Sequence, residues 1–234
     1  MFKKKSKLIA QSPVSLVTLK DPKSSVSEMF RTIRSNIRFS MVDEPLKTMV
    51  VTSSGPSEGK STVASNLAVV FADSKIKTLL IDADLRRPTV AMTWHVSNVQ
   101  GLSNLLGGHG QPLAFCQETA VANLSIMPSG VLPPNPAELL DSRRMTEVLE
   151  SLKAHFDMII IDTPPLVAAT DAQVLSAKVD GVVLVTRERK TSKGNLVRAK
   201  ELLETANAKI LGVVYNGANS VIENYYYYGG KAND

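Results

Sequence analysis

Apolar residues in this chain gather into short continuous runs, separated by stretches of helical spacing. Met49-Val50-Val51, Leu79-Leu80-Ile81, Met158-Ile159-Ile160-Ile161, the segment from Gly181 to Val185 and that from Ile210 to Val214 are such runs. Unbroken runs of this length, rich in β-branched residues, mark strands of a parallel sheet buried on both faces. Leu124, Ile126 and Met127 mark one more short strand. Elsewhere apolar residues recur three or four apart, as in Phe30, Ile33, Ile37 and in Val63, Leu67, Val70, Phe71, the spacing of helices with a buried stripe. The first of these helices begins near Ser24 or Ser25, where Ser25 and Glu28 have capping-box spacing. Further helices are predicted from Pro136 to about Ala154 and over 191–206, and Asp171 is placed to cap another. Residues 101–118 read as short helical pieces interrupted by Gly101, Gly107, Gly108 and Gly110. Strands alternating with helices predict an α/β fold, a mostly parallel central sheet with helices on both faces.

Polar residues at the ends of these runs carry the chemistry. The stretch Thr48–Thr62 reads strand, small-residue loop, Gly59-Lys60-Ser61-Thr62, then helix, which is the layout of a phosphate-binding P-loop. Such a loop aims successive N–H groups at phosphate oxygens, and the helix dipole adds positive potential. Gly55, Pro56, Ser57, Glu58, Gly59, Lys60, Ser61 and Thr62 form the candidate nucleotide cradle. Lys60 is placed to reach the β- and γ-phosphates, and Ser61 to offer its hydroxyl to Mg2+. The usual first glycine is displaced, since Ser54 stands five residues before Gly59 and Gly55 follows it. The second run ends in Asp82, then Asp84, Arg86 and Pro88. Ligands of parallel sheets sit at the carboxyl ends of strands, so two carboxylates there suit Mg2+ or its waters, and Arg86 suits phosphate. A strand exit with turn-forming aspartates is the plainer alternative. The third run ends in Asp162, the Walker B arrangement, in which the carboxylate holds Mg2+ or one of its waters.

Composition narrows the class. The 234 residues allow one large domain, and 44% apolar with 21% charged residues is ordinary for a soluble globular protein. The single cysteine, Cys116, leaves no disulfide framework, and no apolar run approaches the ~18 residues of a membrane span. Phe2 stands where N-myristoylation requires glycine. Much of the +5 net charge sits in Lys3, Lys4, Lys5 and Lys7. This basic arm is either a contact for anionic lipid or a solvated tail. Basic residues are not interleaved with aromatics, so no nucleic acid is expected as a partner. The chain divides into an irregular basic arm over 1–23, one domain over 24–216 and a tail over 217–234. That tail holds Tyr225, Tyr226, Tyr227 and Tyr228, four of the 5 tyrosines, among glycines and polar residues that build no core. On the first helix Glu28, Arg31 and Arg34 fall at i, i+3 steps, and exposed intrahelical ion pairs are the plain explanation.

These residues together resemble the bacterial tyrosine kinases, the BY-kinases of capsule and exopolysaccharide operons. The resemblance rests on Glu28-x-x-Arg31-x-x-Arg34, GPSEGKST, LLIDADLRRP, MIIIDTPP and the terminal tyrosine cluster, in that order. It implies a P-loop NTPase-like fold that moves the γ-phosphate of ATP, with Mg2+, onto tyrosine. It implies cyclic homo-oligomers assembled through Glu28, Arg31 and Arg34, and the chain from Asn216 to Tyr228, long enough to extend on the order of 40 Å, leads to the expectation that Tyr225 to Tyr228 are autophosphorylated in trans. It also implies a separate transmembrane activator, an opposing protein tyrosine phosphatase and protein tyrosine substrates. The protein would then be cytoplasmic and recruited to the inner face of the membrane by that activator. Lys60, Asp82, Asp84 and Arg86 are the implied catalytic set, and Ser61, Asp82 and Asp162 the implied metal set. Asp82 would accept the tyrosine proton late in transfer or orient the hydroxyl, because Tyr has a reference pKa near 10 against about 3.9 for Asp. Asn216, after the last run, resembles the adenine-contacting asparagine of related folds. Ser57 stands where the family often has glycine. The alternative is a Min/Par-type regulatory ATPase without kinase activity, but Gly55 occupies the place of that group's signature lysine.

Overall fold

The computed structural model describes residues 12–40, 46–108 and 110–218. Among the described residues seven strands form one sheet: β1 (Thr48–Ser53), β2 (Thr78–Asp82), β3 (Gln117–Glu118), β4 (Leu124–Met127), β5 (Met158–Asp162), β6 (Gly181–Arg187) and β7 (Ile210–Asn216). Their order is β3-β4-β2-β5-β1-β6-β7, parallel except for β3 against β4. This is the P-loop NTPase-like α/β fold.

Burial on both faces explains the runs of β1, β2, β5 and β6, whereas β7, at the edge of the sheet, leaves Val213 and Tyr215 exposed, contrary to the sequence reading. Val50, Leu79, Ile81, Ile159, Ile161 and Leu184 point to one face, which is covered by the helices Pro136–Asp141, Arg143–Lys153, Asp171–Ser176 and Lys193–Thr205. Their neighbours Met49, Val51, Leu80, Ile160 and Val183 point to the other, covered by the helices Ser25–Phe39 and Lys60–Ala72. The Lys60–Ala72 helix is buried on nearly every side, with Leu67 and Phe71 fully enclosed. A helix that is apolar all round needs cover on all sides, and the sheet and the Ser25–Phe39 helix supply it.

Four details depart from the sequence reading. Part of the segment read as an irregular arm is ordered: Val17–Lys20 is a helical turn, and Thr18 is buried against the P-loop helix. The side chain of Asn66 holds it, accepting from the Thr18 N–H (3.0 Å) and hydroxyl (2.8 Å) and donating to the Ser15 carbonyl (2.8 Å). The first long helix is capped by Ser24, which accepts from the Ser27 N–H, so the cap lies one residue before Ser25. The helix expected from Pro136 to Ala154 breaks at Ser142, whose extended backbone lets its hydroxyl cap a second helix through the Met145 N–H. Gln117–Glu118, read as part of a helical stretch, pairs as β3 with β4. Among the described residues no helix is long and apolar enough to cross a membrane. The Lys-rich residues 3–7 and the tyrosine cluster lie outside the described residues.

Candidate active site

The strand order puts the carboxyl ends of β1, β5 and β2 side by side, which is where a parallel sheet opens a binding crevice. β1 delivers the P-loop, β5 ends in Asp162 and β2 ends in Asp82, directly opposite Asp162 in register. Lys60 begins the P-loop helix, and its ammonium is clasped from several sides. It lies 2.8 Å from Asp84 Oδ2, 3.5 Å from Asp162 Oδ1 and 3.1 Å from the Ser61 hydroxyl. Burial works against its charge, but Asp162, Asp84 and Asp82 outweigh that and hold it well above the usual lysine range.

The three carboxylates have different surroundings. Asp82 is fully buried; Oδ1 accepts from the Asp84 N–H (3.2 Å), and Oδ2 from the N–H groups of Thr89 (3.1 Å) and Val90 (3.0 Å). Burial, then the nearby Asp162, pushes it up to about 8. Burial also raises Asp162, against the opposing pull of Lys60 and Ser61. Its Oδ2 is buried with no hydrogen-bond partner among the described residues. Asp84 borders the open cleft above the P-loop, a space of about 340 Å3 that Lys60, Ser61, Thr62, Arg87 and Arg187 also line.

An orphaned buried carboxylate oxygen beside a hydroxyl is the donor set that a hard divalent cation takes. Among the described residues, no three or more His, Cys, Asp or Glu side chains converge as a metal cage. Mg2+ does not need one, since it binds through one or two carboxylates, keeps waters and uses substrate phosphates. Ser61 and Asp162, with Asp82 beside them, therefore fit Mg2+.

Side-chain bonds from within and beyond the loop fix its shape. Glu58 is buried, and its carboxylate accepts from the Ser54 hydroxyl (3.0 Å), the Gly55 N–H (3.0 Å) and the Thr191 hydroxyl (2.7 Å). Its carbonyl accepts from the Asn216 amide at 3.0 Å. Gly59 has φ +99°, and a Cβ there would collide with that same amide, so glycine is required on both grounds. Ser57 adopts φ +58°, a left-handed conformation that glycine takes with less strain. Pro56 and Ser57 stand at the open edge of the cleft, where Arg187 Nη1 donates to the Ser57 carbonyl at 3.4 Å.

The structure brings Lys60, Ser61, Asp82, Asp84 and Asp162 together, while Asn216 meets the loop at Glu58 and Gly59. Arg86 turns away and makes a bidentate pair with Asp171, 2.9 Å at each bond. Asp171 is fully buried, and it holds Arg86 rather than acting as the N-cap, the position that Thr170 takes. Glu28 and Arg31 pair at 2.5 Å on the outer helix. Arg34 leaves that row and donates to the Val70 carbonyl (2.7 Å) and to Ser74, at the end of the P-loop helix. Three residues escaped the sequence reading. Arg87 was masked by its neighbour in an Arg-Arg doublet, while Arg187 and Thr191 lie 130 and 133 positions from their P-loop partners and leave no local signal.

Comparison with known proteins agrees with this geometry. A family model described as ParA, NUBPL iron-transfer P-loop NTPase, matches residues 46–226. The chain is similar to tyrosine-protein kinase YwqD of Bacillus subtilis, 46% identical over 94% of this chain and 93% of that one. It is similar to putative tyrosine-protein kinase CapB of Staphylococcus aureus, 42% identical over 98% and 99% of the two chains. The solved kinase domain of Escherichia coli tyrosine kinase ETK superposes with a TM-score of 0.85, 33% identical, over 95% of this chain and 88% of that one. With its P-loop, its acidic strand ends and these relatives, the chain belongs to the bacterial tyrosine-protein kinases, on a ParA-type P-loop NTPase fold.

Proposed function

We propose that this chain transfers the γ-phosphoryl group of ATP to tyrosine, and that Tyr225 to Tyr228 of a neighbouring copy are among its substrates. The observation that carries this reading is Lys60 held between Asp84 and Asp162 at the mouth of the P-loop, beside an unpartnered Asp162 oxygen. The P-loop N–H groups and Lys60 cradle the phosphates, Asn216 lies on the nucleoside side, and Ser61, Asp162 and Asp82 hold Mg2+ directly or through water. Bound Mg2+ neutralises phosphate charge. Phosphoryl transfer passes through a loose transition state, so positioning and charge stabilisation supply most of the rate. Asp84 borders the cleft and can meet the tyrosine hydroxyl. Asp82, enclosed behind it, orients Asp84 through the Asp84 N–H. As the proton acceptor, Asp84 acts late, once the oxygen–phosphorus bond has begun to form.

The same reading assigns a cyclic oligomer, a separate transmembrane activator that recruits the protein to the inner membrane face, an opposing phosphatase and control of capsule or exopolysaccharide synthesis. The ParA family match favours a second reading, a Min/Par-type regulatory ATPase. Gly55 in place of a lysine speaks against it. The test incubates purified protein with γ-labelled ATP and Mg2+, with and without the activator's cytoplasmic segment. Label on tyrosine, increased by the activator segment, is the expected result. Release of labelled phosphate with no labelled tyrosine in either sample would favour the regulatory ATPase.

A further inference from the structure

The ammonium of the P-loop is already engaged: Lys60 lies 2.8 Å from Asp84 and 3.5 Å from Asp162. A nucleoside triphosphate with one Mg2+ brings negative charge into the cleft above the P-loop, concentrated on its terminal phosphate. Buried charge needs partners. Arg86 does not provide one, because both its bonds go to Asp171. Its neighbour Arg87 is placed differently. The Arg87 N–H donates to Asp84 Oδ1 (2.9 Å) and to the Asp84 carbonyl (3.2 Å), a turn that fixes the Arg87 backbone beside the carboxylate holding Lys60. The Arg87 side chain is exposed and borders the cleft together with Lys60, Ser61, Asp84 and Thr89. Among the described residues it makes no ion pair, whereas Arg86 does.

The geometry points to Arg87 as the cation that grips the terminal phosphate of the bound triphosphate, and so as a catalytic residue that distinguishes ATP from ADP. This rests on the nucleotide-site reading above and assigns to Arg87 the phosphate-facing role that the motif alone gives to Arg86. A planar guanidinium matches two phosphate oxygens at once. It can follow charge as it shifts during transfer, the work done elsewhere by an arginine supplied to a phosphoryl group. Arg187, on the far side of the same cleft, donates to the Ser57 carbonyl and so acts on the loop.

Calorimetric binding of Mg2+·ADP and of Mg2+ with a non-hydrolysable ATP analogue tests this with Arg87→Ala, Arg87→Lys and Arg86→Ala. Arg87→Ala is expected to weaken the analogue by about 10- to 100-fold, the worth of a charged hydrogen bond, and to leave ADP within about threefold. Arg87→Lys should recover part of the analogue affinity, because the charge remains and the fork is lost. Arg86→Ala should lower the melting temperature and keep the parent's ratio of the two affinities. Equal loss of both nucleotides in Arg87→Ala, or no loss of the analogue, overturns the assignment, as does a changed ratio confined to Arg86→Ala. A parent that labels no tyrosine while Arg87→Ala loses only the analogue would sink the kinase reading and leave this inference standing.

Discussion

Ser57 is the residue at which strain and function are closest. A non-glycine side chain at φ +58° costs about 1–2 kcal/mol, and glycine's greater unfolded freedom offsets about 0.5–1 kcal/mol of the relief. Ser57→Gly should therefore be neutral to about 1 kcal/mol stabilising, measured by urea unfolding, and clear destabilisation would contradict the strain argument. Lys60 behaves in the opposite way. Lys60→Met leaves Asp84 and Asp162 facing each other without a counter-charge, a loss of about 3–5 kcal/mol by comparison with other broken buried pairs. Phosphotyrosine formation should vanish, and adding Asp84→Asn should restore part of the lost stability, because contacting residues are not additive. Parent-level transfer in Lys60→Met would refute the site. At this scale the sequence shows residue types and not their directions. It marks Arg86 and Asp171 separately, but it cannot show that they meet, and an Arg-Arg doublet does not say which guanidinium faces the cleft. Glu58 and Thr191 are equally silent, since their bond spans 133 positions.

At the scale of elements, hydrophobic pattern was the reliable guide. All five parallel runs became strands; in β1, β2, β5 and β6 burial on both faces demands unbroken apolar sequence, while the edge strand β7 keeps the run with Val213 and Tyr215 exposed. The two-residue β3 and the break at Ser142 were not legible, because each depends on one local hydrogen-bonding choice. The helix Ser25–Phe39 shows what a repeat of charges can hide. Glu28, 66% exposed at its side chain, and Arg31 form an outer pair, while Arg34 turns inward to the last turn of the P-loop helix. There a cation meets the negative end of the helix dipole. Burial, more than the neighbouring Arg38 and Arg31, lowers the Arg34 pKa, and a neutral partner carbonyl tolerates this. Arg34→Ala should cost about 1.5–3 kcal/mol, the range for a hydrogen bond to a charged group. Arg31→Ala should cost less than Arg34→Ala, because its partners, the Glu28 carboxylate and the Pro22 carbonyl, are both exposed. If the outer pair serves assembly, Glu28→Ala with Arg31→Ala will lower the oligomer mass in light scattering with the melting temperature nearly unchanged. An unchanged mass would reduce the pair to a surface contact.

For the molecule as a whole, the proposed substrate and the proposed site belong to one chain, so the question is which copy serves which. β7 ends at Asn216, against the P-loop, and twelve further residues lead to Tyr228. Fully extended they reach on the order of 40 Å, enough to leave one protomer for the next. Mixing Lys60→Met protein with a variant carrying phenylalanine at 225–228 separates the roles, since each copy lacks what the other has. Phosphotyrosine on the Lys60→Met chain is expected, and its absence would exclude transfer between copies. Each phosphotyrosine adds roughly −1.5 to −2 charge, so a fully modified tail would reverse the formal +5 of the chain. Repulsion among such tails should loosen the assembly, and a mass that stays constant after complete phosphorylation would contradict this.

The bond between Asn216 and the Glu58 carbonyl also sets an order in time. It joins residues 158 positions apart, and its donor is the last residue of β7. A ribosome adding about 5–20 residues per second finishes the glycine-rich loop roughly 8–30 seconds before it supplies the amide that the loop rests on. Until β7 has emerged and paired with β6, Gly59 has no wall behind it and Glu58 has an unmet carbonyl. The nascent protein therefore carries its phosphate-binding motif for most of synthesis without a finished pocket. A finished pocket waits for β7, the last strand among the described residues.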